Sequence, residues 1–322
     1  MYNSLRLHTL KDWCEEMAQS QELRTEMNDF DDPLFDNEMN ALINEAKQHY
    51  DETNYKSALK SCFFDFVNAK DVYRAACGAA GIPMNKDMVM KYIRLQALSL
   101  TPIAPHWAEY IWTEVLKEPK TVQLARWPEV PAADPKLSAA RAYVLTTQSN
   151  VTSAESAQLK KLAKGKQTNF DPKKPKKLTI FSTASFPKWQ TQCIEILKET
   201  WDVKTNTQSC TDKELSGRIA KLGKVKDAMP FTQRLKKRLR DGEPASVVME
   251  RQLAFDEPKT LVLMVPGLKR AAGLADVSVI EVSEDTKKGT DLLKGSEVDI
   301  TAQVAEQAVP GQPTFFFENV EA

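Results

Sequence analysis

The chain has 322 residues, which is long enough for two folded domains, and its 42% apolar and 27% charged residues exclude a wholly disordered protein. Its formal net charge is +0, so bulk charge predicts no partner, but the charges are unevenly placed. Acidic residues dominate positions 12–52, whereas lysines dominate positions 160–177. A polyanionic partner is therefore expected to bind the second half of the chain.

The cysteines and the apolar runs indicate the compartment. Five cysteines are scattered without a C-x-x-C pair, which is typical of reduced thiols in an intracellular protein. The N-terminal sequence lacks the apolar core of a signal peptide, and no run approaches the roughly 18 apolar residues of a membrane span. We therefore expect a cytoplasmic protein without a membrane partner.

The first part of the chain has the apolar periodicity of amphipathic helices. Leu7, Leu10, Trp13 and Met17 follow one another at three- and four-residue steps. An acidic segment that contains Pro33 predicts a loop after this first helix. The predicted helices include residues 7–17, 39–46, 57–80 and 85–99, and the predicted loop covers residues 21–36.

Two prolines, Pro102 and Pro105, interrupt the most apolar region. Each removes a backbone donor and disfavours the α conformation of the residue before it, so the fourth helix is expected to end there. Pro105 or His106 then begins a fifth helix, because proline is tolerated in a first turn. Five helices with short connections predict a helical bundle.

Aromatic residues near this break have two interpretations. His106 could contact a ligand, but we expect it to pack partly buried at the helix junction. Trp107, Trp112 and Trp127 could stack on nucleic-acid bases, but their helical setting favours the core.

Beyond the bundle the pattern changes to mixed α and β. Residues 119–135 are proline-rich and extended, residues 137–164 are helical, and residues 164–177 form a basic linker. The sequence thus predicts a mainly α N-terminal helical bundle followed by a smaller α+β C-terminal domain. Strands are predicted at 177–183, 277–282 and 315–317, helices at 189–201 and within 229–244, and domains at 1–130 (bundle), 131–175 (helix and basic linker) and 176–322 (α+β domain).

The usual catalytic motifs are missing from the sequence. It has no phosphate-binding loop, no dinucleotide fingerprint and no nucleophile elbow. Its three histidines are far apart and no cysteine pair accompanies them, so we expect no metal site and no catalytic residue.

Two basic blocks are the candidate binding residues, since lysine and arginine can follow a phosphate backbone. The alternative, a solubilising surface, stays open. The candidates are Lys160, Lys161, Lys164, Lys166, Lys173, Lys174, Lys176 and Lys177 in the first block, and Arg218, Lys221, Lys224, Arg234, Lys236, Lys237 and Arg240 in the second.

Several stretches resemble one family, the cytosolic eukaryotic leucyl-tRNA synthetases, over nearly the whole chain. "NYKSALKSCFFDFVNAKDVYR" (54–74) and "YIRLQALSLTPIAPHWAEYIWTEVL" (92–116) resemble helices of the family's anticodon-binding bundle. "KKLTIFSTASFPKWQ" (176–190), "AMPFTQRLKKRL" (228–239) and "ERQLAFDEPKTL" (250–261) resemble its C-terminal domain.

The resemblance implies binding of leucine tRNA, by its long variable arm, and no binding of DNA. Family members also have catalytic and editing domains with HIGH and KMSKS motifs, and neither motif occurs in this sequence. We therefore expect the C-terminal part of such an enzyme, whose partners include those other domains. ATP and Mg²⁺ belong to the intact enzyme, and the chain alone is expected to bind tRNA without catalysis.

One rival hypothesis is an autonomous RNA-binding or scaffold module derived from the synthetase. A bundle separated from a catalytic domain is expected to expose an apolar patch, which an evolved module would have replaced with polar residues. No polar replacement is seen at four apolar positions of the first helix, which favours the separated bundle. These positions are Leu5, Leu7, Leu10 and Trp13.

Overall fold

The computed structural model describes residues 2–165, 171–202, 205, 207–222, 225–283, 287–301 and 303–320. Its backbone contacts divide the chain into two compact units. Unit 1 comprises Met1–Gln148 and Leu263–Leu274, and unit 2 comprises Ser149–Val262 and Ala275–Ala322. The domain limits at 130 and 175 stay predictions. The predicted fold class, a helical bundle followed by an α+β part, is confirmed.

Unit 1 is built from helices. Two of its helical runs contain a π-helical stretch, at Lys60–Asp65 and at Ile111–Val115. A short 3₁₀ turn, Val122–Leu124, follows the last bundle helix. The helices are α1 Tyr2–Gln19, α2 Asp31–Asp51, α3 Tyr55–Leu59, α4 Phe66–Ala80, α5 Lys86–Leu100, α6 Pro105–Tyr110 and α7 Pro135–Ala163, whose last residues belong to unit 2.

Helix α2 begins earlier than the sequence predicts. The predicted loop over 21–36 is wrong for residues 31–36, which form the first turns of α2. Asp31 and Asp32 lie in the first turn, where carboxylates interact favourably with the helix dipole, and Pro33 is tolerated there. Leu34 and Phe35 are buried. Burial of this apolar pair thus extends a helix into a segment of acidic composition.

The proline break is confirmed. Helix α5 ends at Leu100 and α6 begins at Pro105, in a first-turn position. Trp112 is buried, and the indole of Trp107 donates a hydrogen bond to the carbonyl of Leu7 at 3.0 Å, so both serve the core. His106 is exposed, and the expectation of partial burial is wrong because its first-turn position faces solvent.

Aromatic rings fill the centre of unit 1. Tyr92 is fully buried, with Phe66 stacked on it at 4.8 Å between ring centroids and Trp13 edge-on at 5.6 Å. Phe35 stacks on Tyr73 at 4.4 Å. These residues come from four different helices, so aromatic packing joins most of the bundle.

Unit 2 combines a five-stranded sheet with helices. The strands are β1 Lys176–Ser182, β2 Trp201–Asp202, β3 Thr207–Gln208, β4 Asp276–Val282, β5 Lys288–Asp291, β6 Ser296–Asp299 and β7 Thr314–Asn319. The sheet order is β6-β5-β4-β1-β7, while β2 and β3 pair separately. The helices are α8 Lys188–Thr200, α9 Asp212–Ala220, α10 Val225–Arg240, α11 Ala245–Glu250 and α12 Glu257–Ala271, whose last residues belong to unit 1.

Strand β1 lies in the interior of the sheet. It runs parallel to β4, with Ile180 opposite Val279, and antiparallel to β7, with Leu178 opposite Phe317. Leu178, Ile180 and Val279 have no exposed area. The predicted strands at 177–183, 277–282 and 315–317 are therefore these three adjacent strands.

Candidate nucleic-acid interface

Helix α10 separates an apolar face from a basic one. Leu235 and Leu239 are buried with residues of α8 and α11, and Ala228 is buried with residues of α8 and α9. The exposed positions of the helix include three basic residues of the second predicted block, Arg234, Lys237 and Arg240. Because apolar residues recur at three- and four-residue steps, the basic residues between them, with the exception of Lys236, lie on the outer face.

Three candidates lie exposed on α10 at three-residue steps: Arg234, Lys237 and Arg240. Residues spaced by three or four positions are neighbours on a helix surface. Among the described residues, Arg234 and Lys237 have no ion-pair partner. Arg238, also exposed, pairs with Glu243 at 2.6 Å. No carboxylate among the described residues pairs with Arg234 or Lys237, so both cations are available to bind an anion.

Lys236 differs from its neighbours. Its side chain is 1% exposed and its ammonium pairs with Asp212, the first residue of α9. The pair, together with charge interaction from Arg240, lowers the pKa of the Asp212 carboxyl. A buried ammonium with a carboxylate partner cannot also follow a phosphate chain, so we remove Lys236 from the candidate surface.

Helix α9 presents two further candidates. Thr211 and Glu214 begin it with a reciprocal capping box. Arg218 lies in its last turn and pairs with Glu199 of α8, while Lys221 is exposed just after it. Lys224 lies outside the described residues. Arg218 thus connects α9 with α8, and its guanidinium is already paired with a carboxylate.

The first basic block is divided between exposed and paired lysines. Lys160 and Lys161 are exposed in the last turn of α7, and Lys164, Lys173 and Lys174 are exposed in the segments that follow it. Two others form ion pairs: Lys176 with Glu155 at 2.5 Å and Lys177 with Glu318 at 3.1 Å. Lys166 lies outside the described residues.

Sequence reasoning missed Arg251, a half-buried arginine that follows α11. Its backbone lies in the left-handed region, with φ 50° and ψ 23°, which is uncommon for a residue other than glycine. Its guanidinium stacks on Phe186, with 3.5 Å between Cζ and the ring centroid. The resembling stretch "ERQLAFDEPKTL" contains this residue, but no sequence pattern shows which surroundings it meets.

The described part of the chain offers no metal centre, because no three histidine, cysteine or acidic side chains converge there. Within that same part, no helix is both long and apolar enough to cross a membrane.

Comparison with known proteins gives the family. Residues 32–180 match the family described as "Anticodon-binding domain of tRNA ligase". The chain is 62% identical over 318 residues to the cytoplasmic leucine–tRNA ligase of Neurospora crassa, covering 98% of this chain and 28% of that protein. It is 41% identical to the cytoplasmic enzyme of Saccharomyces cerevisiae (98% of this chain, 29% of that protein) and 31% identical to that of Pongo abelii (97% and 25%).

The alignments extend over almost the whole chain, but the chain spans only between a quarter and a third of the length of these relatives. The resemblance that the sequence motifs indicated is confirmed by these identities. The chain therefore belongs to the leucine–tRNA ligase family.

Proposed function

We propose that this chain is the C-terminal, tRNA-binding portion of a leucine–tRNA ligase and that it works in the cytoplasm. The observation that carries the proposal is the match of residues 32–180 to the anticodon-binding domain of tRNA ligase, within a chain that aligns over 98% of its length with a cytoplasmic ligase. The names of the relatives are the basis for proposing leucine as the amino acid and the cytoplasm as the compartment.

The proposed contribution is binding and orientation. In the intact enzyme, leucine is activated with ATP and Mg²⁺ and then esterified to tRNA, and this chain holds the tRNA so that its acceptor end reaches the active site. Such a part contributes binding energy and orientation but makes or breaks no covalent bond. The absence of HIGH and KMSKS motifs from the sequence supports this assignment of the chemistry to other domains.

The proposed RNA surface includes the outer face of α10. Arg234 and Lys237 are exposed cations, and arginine grips phosphate through two parallel hydrogen bonds. Irregular RNA is recognised largely by its shape and by phosphate contacts, which suits binding of the long variable arm of leucine tRNA. The proposed phosphate-binding residues also include three exposed lysines of the first basic block, Lys160, Lys161 and Lys174.

The alternative of an autonomous module is not favoured. Nearly all of the chain aligns with ligases, and Leu10 and Trp13 serve the bundle core while Leu5 is 63% exposed. One exposed leucine in α1 is not an apolar patch, so the alignment with ligases carries this judgement.

Binding of a leucine tRNA transcript to the purified chain tests the proposal. We expect the double variant Arg234→Gln, Lys237→Gln to bind more weakly and to reduce the slope of log K against log salt by about 0.7–0.9 for each phosphate that it no longer neutralises. Lys288→Gln, Lys294→Gln is the matched control, because both lysines are exposed and lie in a strand and a turn of unit 2.

Two results would count against the proposal. Failure of the chain to bind the transcript at low salt contradicts tRNA binding, and equal losses of affinity in the two double variants move the surface away from α10. Leucine-dependent exchange of pyrophosphate into ATP by the chain alone would contradict its non-catalytic role.

A further inference from the structure

A cavity of about 510 Å³ lies in unit 2, between the end of β1 and the segment that joins α11 to α12. This volume falls in the range of pockets that hold small ligands. Its lining combines aromatic and aliphatic side chains, such as Phe186, Leu253 and Phe255, with the polar side chains of Ser182 and Arg251. The cavity therefore has apolar walls and a small number of polar groups.

Arg251 brings a positive charge to this cavity without a carboxylate partner among the described residues. Its Nη1 donates to the neutral amide oxygen of Gln190 at 2.6 Å, and its Cζ lies 3.5 Å from the ring centroid of Phe186 and 5.4 Å from that of Phe231. A guanidinium has five N–H donors, so further donors remain for an anion. Desolvation lowers the pKa of Arg251 to about 10.

The backbone at Arg251 is strained. With φ at 50°, this residue terminates α11 in the left-handed conformation in which glycine is the usual residue. A non-glycine residue there costs free energy, and such strain often accompanies functional sites. The side chain of Arg251 makes contacts with Phe186, Phe231 and Gln190 that glycine could not make.

Ser182 is a second, independent sign of a ligand. It is 2% exposed and its hydroxyl has no hydrogen-bond partner among the described residues. A buried hydroxyl without a partner is destabilising and uncommon. Ser182 lines the same cavity as Arg251, so a small local shift that exposes its hydroxyl would let one ligand satisfy both groups.

We propose that this cavity binds a single unpaired nucleotide of an RNA, with the phosphate on Arg251, the base between the apolar walls and the hydroxyl of Ser182 bonded to a polar edge of the base. This inference rests on the proposed function and adds the ligand class of a specific pocket. Walls of aromatic and aliphatic side chains suit an unstacked base, and a ring-stacked guanidinium suits phosphate.

The acidic residues of the cavity limit the ligand to one nucleotide. Three carboxylates also line it: Glu250 and Asp256 are exposed, and Glu257 is buried and accepts a hydrogen bond from the backbone N–H of Gly311. Carboxylates repel a phosphate chain, so a continuous strand is not expected to cross the opening. A nucleotide that projects from a loop or bulge can place one of its two flanking phosphates on Arg251 while the rest of the strand stays outside the opening.

Two RNAs distinguish binding in this pocket from binding of phosphates elsewhere on the chain. They are a blunt RNA duplex and the same duplex with a single-stranded bulge. With the full chain, we expect Arg251→Gln to lower the affinity for the bulged RNA about tenfold or more and to leave the affinity for the blunt duplex unchanged. Arg238→Gln is the matched control, since it removes the same charge from α10 and is expected to affect both RNAs equally.

Two further variants distinguish the loss of a ligand interaction from a damaged fold. Arg251→Gly relieves the left-handed strain, so we expect the same loss of bulged-RNA affinity with a smaller fall in melting temperature than Arg251→Ala causes. Ser182→Ala is expected to weaken bulged-RNA binding while raising the melting temperature, because it removes an unpartnered buried hydroxyl.

The outcomes separate the two proposals. Equal affinity of the unmodified chain and Arg251→Gln for the bulged RNA, with leucine tRNA still bound, overturns the pocket and leaves the proposed function standing. Failure to bind any tRNA overturns both. Competition for the cavity by a peptide with a free carboxylate, but not by a mononucleotide, overturns the assignment of RNA as the ligand.

Discussion

Arg24 and Asp32 form a two-pronged ion pair in unit 1, with Nη2 2.5 Å from Oδ1 and Nη1 2.8 Å from Oδ2. The carboxylate has no exposed area, and it accepts further hydrogen bonds from the hydroxyl of Tyr73 at 2.6 Å and the backbone N–H of Asn28 at 2.7 Å. The hydroxyl of Tyr73 in turn accepts from the backbone N–H of Asn85, next to the start of α5. One buried carboxylate thus connects the loop before α2 with α4 and α5.

We expect Asp32→Asn to lower the free energy of unfolding by about 3–5 kcal/mol, because removal of one partner leaves the other charge of a buried pair uncompensated. Urea unfolding followed by tryptophan fluorescence measures the change. Asp51→Asn is the matched control, since Asp51 forms an exposed ion pair with Lys47 and is expected to change stability by at most about 1 kcal/mol.

The same carboxylate makes stability depend on pH. Burial alone raises the pKa of Asp32, but the hydrogen bonds from Arg24, Tyr73 and Asn28 together outweigh burial and lower it. A lowered folded-state pKa means that this contribution is complete above the ordinary carboxyl pKa of about 3.9 and is lost as the pH falls through the folded value. Below about pH 4, the stability of the unmodified chain should fall more steeply than that of Asp32→Asn; parallel curves would show that Asp32 does not titrate in this way.

Cys210 should react faster with thiol reagents than the four other cysteines. Burial raises the pKa of Cys14 to about 12 and that of Cys62 to about 11, and it also raises the pKa of Cys77 and Cys193. Cys210 is the one cysteine with partial exposure. Since the thiolate is the reactive form, a disulfide reagent at about pH 8 should modify one thiol rapidly and four slowly.

Cys210→Ser should remove the rapid thiol phase and leave the slow phase unchanged. In denaturant, the unmodified chain should show five thiols of equal rate. A rapid phase that persists in Cys210→Ser would place the accessible thiol elsewhere.

Helices with a regular apolar period and the buried strands could be predicted from the sequence. Pro102 and Pro105 acted locally, so the break between α5 and α6 was predictable. The first turns of α2 were not, since acidic composition concealed the buried pair Leu34 and Phe35. Helix α12 runs through Pro266 and Gly267, which sequence rules treat as helix breakers.

From the sequence, only the basic character of the candidate site could be predicted. A basic run on a helix predicts exposed cations, but the helix phase decides which of them is buried, and Lys236 shares the buried side with Leu235 and Leu239. Arg251 depends on contacts with Phe186 and Gln190, which lie 61 or more positions away in the chain. Such long-range contacts leave no local pattern in the sequence.

Two glycines of unit 2 should respond oppositely to alanine. At Gly289 in β5, a Cβ would lie 2.7 Å from the carbonyl oxygen of Glu281 and 2.6 Å from Cγ2 of Ile280, so Gly289→Ala should destabilise the chain by about 1–3 kcal/mol. At Gly217 inside α9, a Cβ meets nothing within 4 Å, so Gly217→Ala should stabilise it by about 0.4–1 kcal/mol. Thermal unfolding of the two variants tests both signs, and destabilisation by Gly217→Ala would contradict the open space at that helix position.

Adjacent lysines of α10 should separate stability from RNA binding. Lys236 is 1% exposed and Lys237 is exposed, although the two differ by one position on the same helix. Lys236→Ala removes a buried aliphatic stem and should lower the free energy of unfolding by about 2 kcal/mol, whereas Lys237→Ala should change it by less than about 0.5 kcal/mol. Lys236→Met keeps the stem and is expected to lose less stability than Lys236→Ala.

RNA affinity should follow the opposite order. Lys237→Ala removes an exposed cation and should weaken binding of leucine tRNA and reduce its salt dependence. Lys236→Met removes a cation that Asp212 already neutralises, so tRNA binding should stay within about twofold of the unmodified chain. If Lys236→Met weakened binding as much as Lys237→Ala while remaining folded, the Lys236–Asp212 pair would have to open on binding, and the buried ammonium would belong to the RNA surface after all.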